Sequence, residues 1–146
     1  MLNKLFFYSN IFLNTPTPHY KRDIFNQINF NEKMLGLIGP KGVGKTTIIK
    51  QYLNSLDLNR DEILYVSLDS SIISDKILTI TEEAYKQGIK VIAFDEIHYQ
   101  KDFERDLKTI YDFFDIKIIF SGSSAIALST ADLGRRAVIY NVIRLQ

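Results

Sequence analysis

From Met34 onward, short apolar runs alternate with stretches whose apolar residues recur every three to four positions. The runs are Met34 to Ile38, Ile63 to Leu68, Lys90 to Phe94, Ile116 to Phe120 and Ala137 to Ile143. Their near-continuous apolar character predicts five strands buried on both faces, as in a parallel sheet covered by helices. Between the runs the period is helical. Ile48, Ile49, Tyr52 and Leu53 form one stripe, and Ile77, Ile80, Ala84 and Tyr85 a second. Phe103, Leu107, Ile110, Tyr111 and Phe114 form the third. Gly88 suits the left-handed residue just past the second helix, and Asp102 suits the N-cap of the third. This alternation of strand and helix reads as an α/β fold. Residues 1 to about 31 are expected to add helical or irregular structure packed on the sheet. Pro16 and Pro18 within them mark a turn, not an interdomain linker.

Composition narrows the class. A length of 146 residues suits one domain spanning 1–146, and 46% apolar residues suffice for one continuous core. Eighteen basic side chains against seventeen acidic ones leave a net charge of +1, so overall charge offers no support for nucleic-acid binding. With no cysteine and two histidines, disulfides and thiolate metal sites are excluded and a zinc site lacks ligands. The stretch from Leu5 to Leu13 loosely resembles a short secretory apolar region. Ser9 and Asn10 interrupt it, however, and no small-residue cleavage site follows. No apolar run approaches the roughly 20 residues that span a bilayer. The expectation is a soluble, cytoplasmic protein with no membrane association.

The candidate chemistry begins after the first strand. Gly39-Pro40-Lys41-Gly42-Val43-Gly44-Lys45-Thr46 fits G-x-x-x-x-G-K-[ST], with a buried strand before it and a helix after it. Phosphate oxygens need several donors converging on a small volume. Gly42 and Gly44 permit positive φ, so that successive backbone N–H groups turn inward. The start of the following helix adds its unpaired N–H groups and dipole. Lys45 is expected on the β- and γ-phosphates, the Thr46 hydroxyl on magnesium, and Thr47 on the α-phosphate.

About 50 residues further on, Val91-Ile92-Ala93-Phe94 runs into Asp95-Glu96. Asp95 at the end of a buried strand is placed to hold the magnesium shell. Glu96 is placed to polarise a water attacking the γ-phosphate. Two adjacent carboxylates in a partly buried site need a nearby cation, which Lys45 and the metal would supply. Ser121-Gly122-Ser123-Ser124 follows the fourth strand. Ser121, and next Ser123, are candidates for orienting the water, while helix capping near Ala125 is an equal alternative. Arg135, with Arg136, is a candidate cation for a neighbouring subunit's nucleotide, against the alternative of a solvated pair at a strand entrance. His98 is assigned no role, and His19 is uninformative.

These segments in this order resemble a group of prokaryotic AAA-type ATPases. The resemblance rests on Gly39 to Thr47, Phe94-Asp95-Glu96-Ile97-His98, Leu107-Lys108 with Ile110-Tyr111-Asp112, and Ile118 to Ser124. Tyr20-Lys21-Arg22-Asp23 upstream and Gly134-Arg135-Arg136 with Ile139 and Leu145 extend it. It implies a three-layer P-loop fold with sheet order 5-1-4-3-2, residues 33–146 as the nucleotide-binding core, and ATP with Mg2+ as cofactors. In such proteins the ATPase domain is usually followed by a helical lid and a winged-helix or nuclease-like region. This chain stops at Gln146, so a C-terminal domain or partner protein is expected to complete it. Self-association through Arg135 or Arg136 is the companion expectation. The family leaves DNA handling open without support from charge. Alternatives are a nucleotide switch that does not hydrolyse ATP, and a small-molecule kinase, against which the scattered arginines speak. A GTPase is disfavoured because no Asn-Lys-x-Asp segment is present.

Overall fold

The computed structural model describes residues 1–18 and 23–143. Its centre is a five-stranded parallel sheet of β1 (Met34–Ile38), β2 (Ile63–Ser67), β3 (Val91–Asp95), β4 (Lys117–Gly122) and β5 (Val138–Asn141). The strand order is β2-β3-β4-β1-β5, the order implied by the resemblance read from the other edge. Helices α1 (Leu2–Asn14), α2 (Asp23–Gln27), α3 (Lys45–Ser55), α4 (Ile77–Lys86), α5 (Phe103–Phe113) and α6 (Ala127–Thr130) complete it. Among the described residues no helix is long and apolar enough to cross a membrane.

Strand alternation divides the core into two layers. Leu64, Val66, Ile92, Phe94, Ile118 and Phe120 face α4 and α5. Ile63, Tyr65, Val91, Ala93 and Ile119 face α3 with its Ile48, Ile49 and Leu53. Every residue of β1 and β3 is buried, which is why those strands read as unbroken apolar runs. Each buried Leu or Ile side chain contributes roughly 1.5–3 kcal/mol.

Several element ends follow the expected chemistry. After α4, the Gly88 N–H bonds Tyr85 O, and the Ile89 N–H bonds Ala84 O, both at 3.1 Å. With Gly88 at φ 85° this is the glycine-terminated helix end expected there. Tyr85 is half-exposed, yet its ring meets Phe114 edge-on at 5.2 Å. Asp102 departs from expectation. It precedes α5 in the left-handed region (φ 57°) and makes no side-chain cap; its carbonyl accepts the Asp106 N–H at 3.4 Å.

The first apolar stretch forms α1, whose Leu5, Ser9 and Leu13 are buried at a four-residue spacing. It lies along β2, the edge strand. The Ser9 hydroxyl accepts the Tyr65 N–H at 2.9 Å, supplying a partner for an otherwise unpaired edge donor. Tyr20, Lys21, Arg22 and Leu145 of the family resemblance, and His19, lie outside the described residues.

Candidate functional site

The period of two in the strands decides which polar groups meet. Pairing of Ser67 with Asp95 and of Phe94 with Phe120 puts Tyr65, Asp95 and Ser121 on the α3 face near the strands' carboxyl ends. There Asp95, only 1% exposed, collects three hydroxyls. Thr46 Oγ1 donates to Oδ2 at 2.7 Å, Tyr65 Oη donates to Oδ2 at 2.6 Å, and Ser121 Oγ donates to Oδ1. A buried carboxylate is tolerable only when its lone pairs are satisfied in this way. Burial, then the charge of Asp95, pushes the Tyr65 hydroxyl far above its usual pKa, so Tyr65 stays a donor. Its ring stacks on Phe12 of α1 at 3.6 Å.

Beside Asp95, the loop between β1 and α3 closes a tight arc. Gly42 and Gly44 sit at φ 83° and 100°, as their places in the motif require. Gly39 is a glycine for a different reason. A Cβ there would lie 2.2 Å from Val142 O, because the chain past β5 presses against the loop. The Gly39 N–H bonds Gly122 O at 3.2 Å, and the Val142 N–H bonds Ile38 O at 2.8 Å, carrying the sheet's pairing into the loop. Lys45 is 5% exposed, and its ammonium donates to Gly39 O at 2.7 Å and Pro40 O at 2.8 Å. Burial lowers the Lys45 pKa, and the negative charges of Glu96 and Asp95 oppose that shift. An open cleft of about 270 Å³ is lined by Gly42, Gly44, Lys45, Thr46, Thr47 and Glu96. Pro40 and Lys41, earlier in the loop, are exposed, while Val43 is buried in the α3 layer.

Glu96 leaves β3 in the left-handed region, φ 60° and ψ 48°. For a residue with a Cβ this costs roughly 1–2 kcal/mol. The Glu96 N–H donates to Ser121 Oγ at 2.9 Å, which helps hold the turn. One carboxylate oxygen lies 3.3 Å from His98 Nε2, and His98 Nδ1 accepts the Ser123 N–H at 3.1 Å.

The fold thus brings Lys45, Thr46, Thr47, Asp95, Glu96 and Ser121 to one place. Ser123 joins through its backbone, and a short 3-10 turn over Ser124–Ile126 follows it without a side-chain cap. Arg135 and Arg136 are elsewhere. They precede β5, whose Val138 pairs with Leu35 near the start of β1, so they lie at the sheet's opposite end. Arg135 is exposed, and Arg136 makes a two-pronged pair with Asp112 at 2.9 and 3.0 Å. Sequence reasoning missed Tyr65 and gave His98 nothing. A tyrosine two residues before the end of a strand neighbouring the Asp95 strand would have been the available signal for the first.

Comparison with known proteins agrees with this geometry. Residues 31–146 match the AAA domain family. An uncharacterized protein of Methanocaldococcus jannaschii, MJ1637, is 34% identical over 121 residues, covering 75% of this chain and 26% of that protein. The chain therefore spans about a quarter of that curated relative's length. The solved structure of PCH-2 from C. elegans superposes with a TM-score of 0.53 at 20% identity, covering 99% of this chain and 43% of that one, which speaks to the fold. A parallel sheet of order β2-β3-β4-β1-β5, a glycine loop opening α3 and the family match over residues 31–146 place this chain in the AAA domain family, as a P-loop ATPase core of nucleotide-binding type.

Proposed function

We propose that the chain binds ATP with magnesium in the cleft beside α3 and hydrolyses it, coupling nucleotide state to conformational change. The observation that carries this reading is the contact of Thr46 Oγ1 with Asp95 Oδ2 at 2.7 Å, next to a cleft into which Glu96 and Lys45 also open. A hydroxyl and a carboxylate side by side are the hard oxygen donors that magnesium prefers. Among the described residues no cluster of three His, Cys, Asp or Glu could hold a metal alone.

The residues divide the work. The loop from Gly39 to Thr47 cradles the phosphates through the backbone N–H groups that follow Pro40, and Lys45 exchanges its loop carbonyls for phosphate oxygens. Thr46 and Asp95 would hold magnesium, with Tyr65 and Ser121 keeping the carboxylate in place. Magnesium, when bound, neutralises charge that develops on the phosphates. Glu96 orients and takes a proton from the attacking water. Ser121 fixes Asp95 and the Glu96 backbone together. In the cell, a cytoplasmic location and a single domain over 1–146 are the companion proposals.

One observation favours a second reading, a switch that binds ATP but turns it over negligibly. Arg135 and Arg136 lie at the far end of the sheet, so within one chain neither supplies a cation to the cleft. Self-association, with Arg135 reaching a neighbour's nucleotide, or a further domain or partner, would supply it. The test is magnesium-dependent ATP binding and phosphate release by the protein and two variants. Lys45→Ala is expected to lose binding, and Glu96→Gln to bind without turnover. Binding by the wild type with no more turnover than Glu96→Gln would establish the switch, and no binding by the wild type would refute both readings.

A further inference from the structure

Glu96 is gripped twice by the segment that ends β4. Its backbone N–H is tied to the Ser121 hydroxyl at 2.9 Å. Its carboxylate faces His98 Nε2 at 3.3 Å, and His98 Nδ1 in turn accepts the Ser123 N–H at 3.1 Å. With Nδ1 occupied as an acceptor, the neutral ring carries its proton on Nε2, on the side of the carboxylate. Backbone geometry alone fixes only where the Glu96 side chain starts. Its own bonds still rotate, and a base must be aimed to work. The His98 ring is itself steadied. It sits on the short turn Ile97–Tyr99, whose Ile97 is wholly buried, and it leans on the Tyr99 ring at 4.9 Å.

We propose that His98 is a positioning residue for Glu96, aiming the carboxylate through its Nε2–H while the Ser123 backbone holds the ring, so that movement of the segment after β4 reaches the base directly. This rests on Glu96 acting as the base of hydrolysis. The contact at 3.3 Å is slightly longer than a well-formed hydrogen bond, so a small rotation of the Glu96 side chain is enough to close it.

The two ring nitrogens can be tested apart. An asparagine amide stands roughly where Nδ1 does, and a glutamine amide where Nε2 does. His98→Asn therefore keeps an acceptor for Ser123 and loses the contact with Glu96, while His98→Gln keeps a donor for Glu96. Steady-state ATP hydrolysis by the whole chain, with melting temperatures and ring 15N spectra, reads the outcome. His98→Asn and His98→Ala are expected to lower kcat by about 100-fold with little change in KM. His98→Gln should recover most of that loss. The wild-type ring should show the Nε2–H tautomer, with an Nε2 shift that moves in Glu96→Gln whether or not ATP turns over. Normal kcat in His98→Asn, no recovery in His98→Gln, or an Nδ1–H ring would each overturn the proposal. Loss confined to melting temperature would do so too, by making His98 structural. A wild type that binds ATP without turnover would instead remove the hydrolysis reading beneath it.

Discussion

The two ends of the parallel sheet carry the same kinds of charged group and treat them in opposite ways. At the carboxyl end, Asp95 and Lys45 are nearly inaccessible, and each is held by several fixed partners. At the amino end, Lys90 pairs with Glu62 at 2.7 Å and Arg136 with Asp112, each pair partly open to water. Exposed pairs of that sort contribute little to stability. Buried charges cost folding energy unless every lone pair is satisfied. The carboxyl end therefore keeps a carboxylate and an ammonium together under cover, each dependent on fixed partners, whereas the amino end half-buries one ammonium, Lys117, on the Phe30 and Glu32 carbonyls and holds these two ion pairs nearer the surface. The strained Glu96 backbone lies at the carboxyl end.

The sharpest way to break this contrast is Tyr65→Phe. It deletes one donor from a buried carboxylate without changing the ring that stacks on Phe12. Denaturant melts should show a loss of about 1.5–3 kcal/mol, the range for hydrogen bonds to charged groups. A weaker magnesium dependence of ATP binding should accompany it. A neutral result would mean that Thr46 and Ser121 satisfy Asp95 unaided.

A smaller effect separates strain from side-chain chemistry. Glu96→Gly and Glu96→Ala both remove the carboxylate, but only glycine relieves the left-handed backbone. The glycine variant should be the more stable by about 1–2 kcal/mol, reversing the usual order of these residues. Melting both variants side by side checks it.

The smallest effect belongs to the amino end. Asp112→Asn should lower the melting temperature least of the series. Hydrogen bonding to Arg136 holds the Asp112 carboxyl below its usual pKa. A depressed carboxylate contributes above its unfolded pKa and loses that contribution as pH falls through the folded value. Wild type and variant should therefore converge in acid.

What was legible in the sequence was local. The glycine loop is contiguous, and its positive φ angles at Gly42 and Gly44 follow from residue type alone. Strands buried on both faces announce themselves as apolar runs, although β5 is shorter than its run because only Val138–Asn141 pairs with β1. What escaped depends on register. Tyr65 matters because β2 lies beside β3 in a register that turns its ring to the α3 face, and no single strand discloses that. Helix α1 was obscured by Ser9, a polar residue in the middle of its buried stripe whose hydroxyl serves the edge of β2. His98 became meaningful only when the fold set Ser123 against its ring. Asp102 shows the converse, a capping residue type in a backbone conformation where its side chain caps nothing.

The central claim is that Asp95, Thr46 and Glu96 form one magnesium–nucleotide site that hydrolyses ATP. Its most direct test is a single-turnover measurement of phosphate release from bound MgATP, comparing wild type with Glu96→Gln in the same buffer. The account predicts that both proteins retain the nucleotide and only the wild type releases phosphate. Equal release from the two, or nucleotide retention indifferent to magnesium, would contradict it.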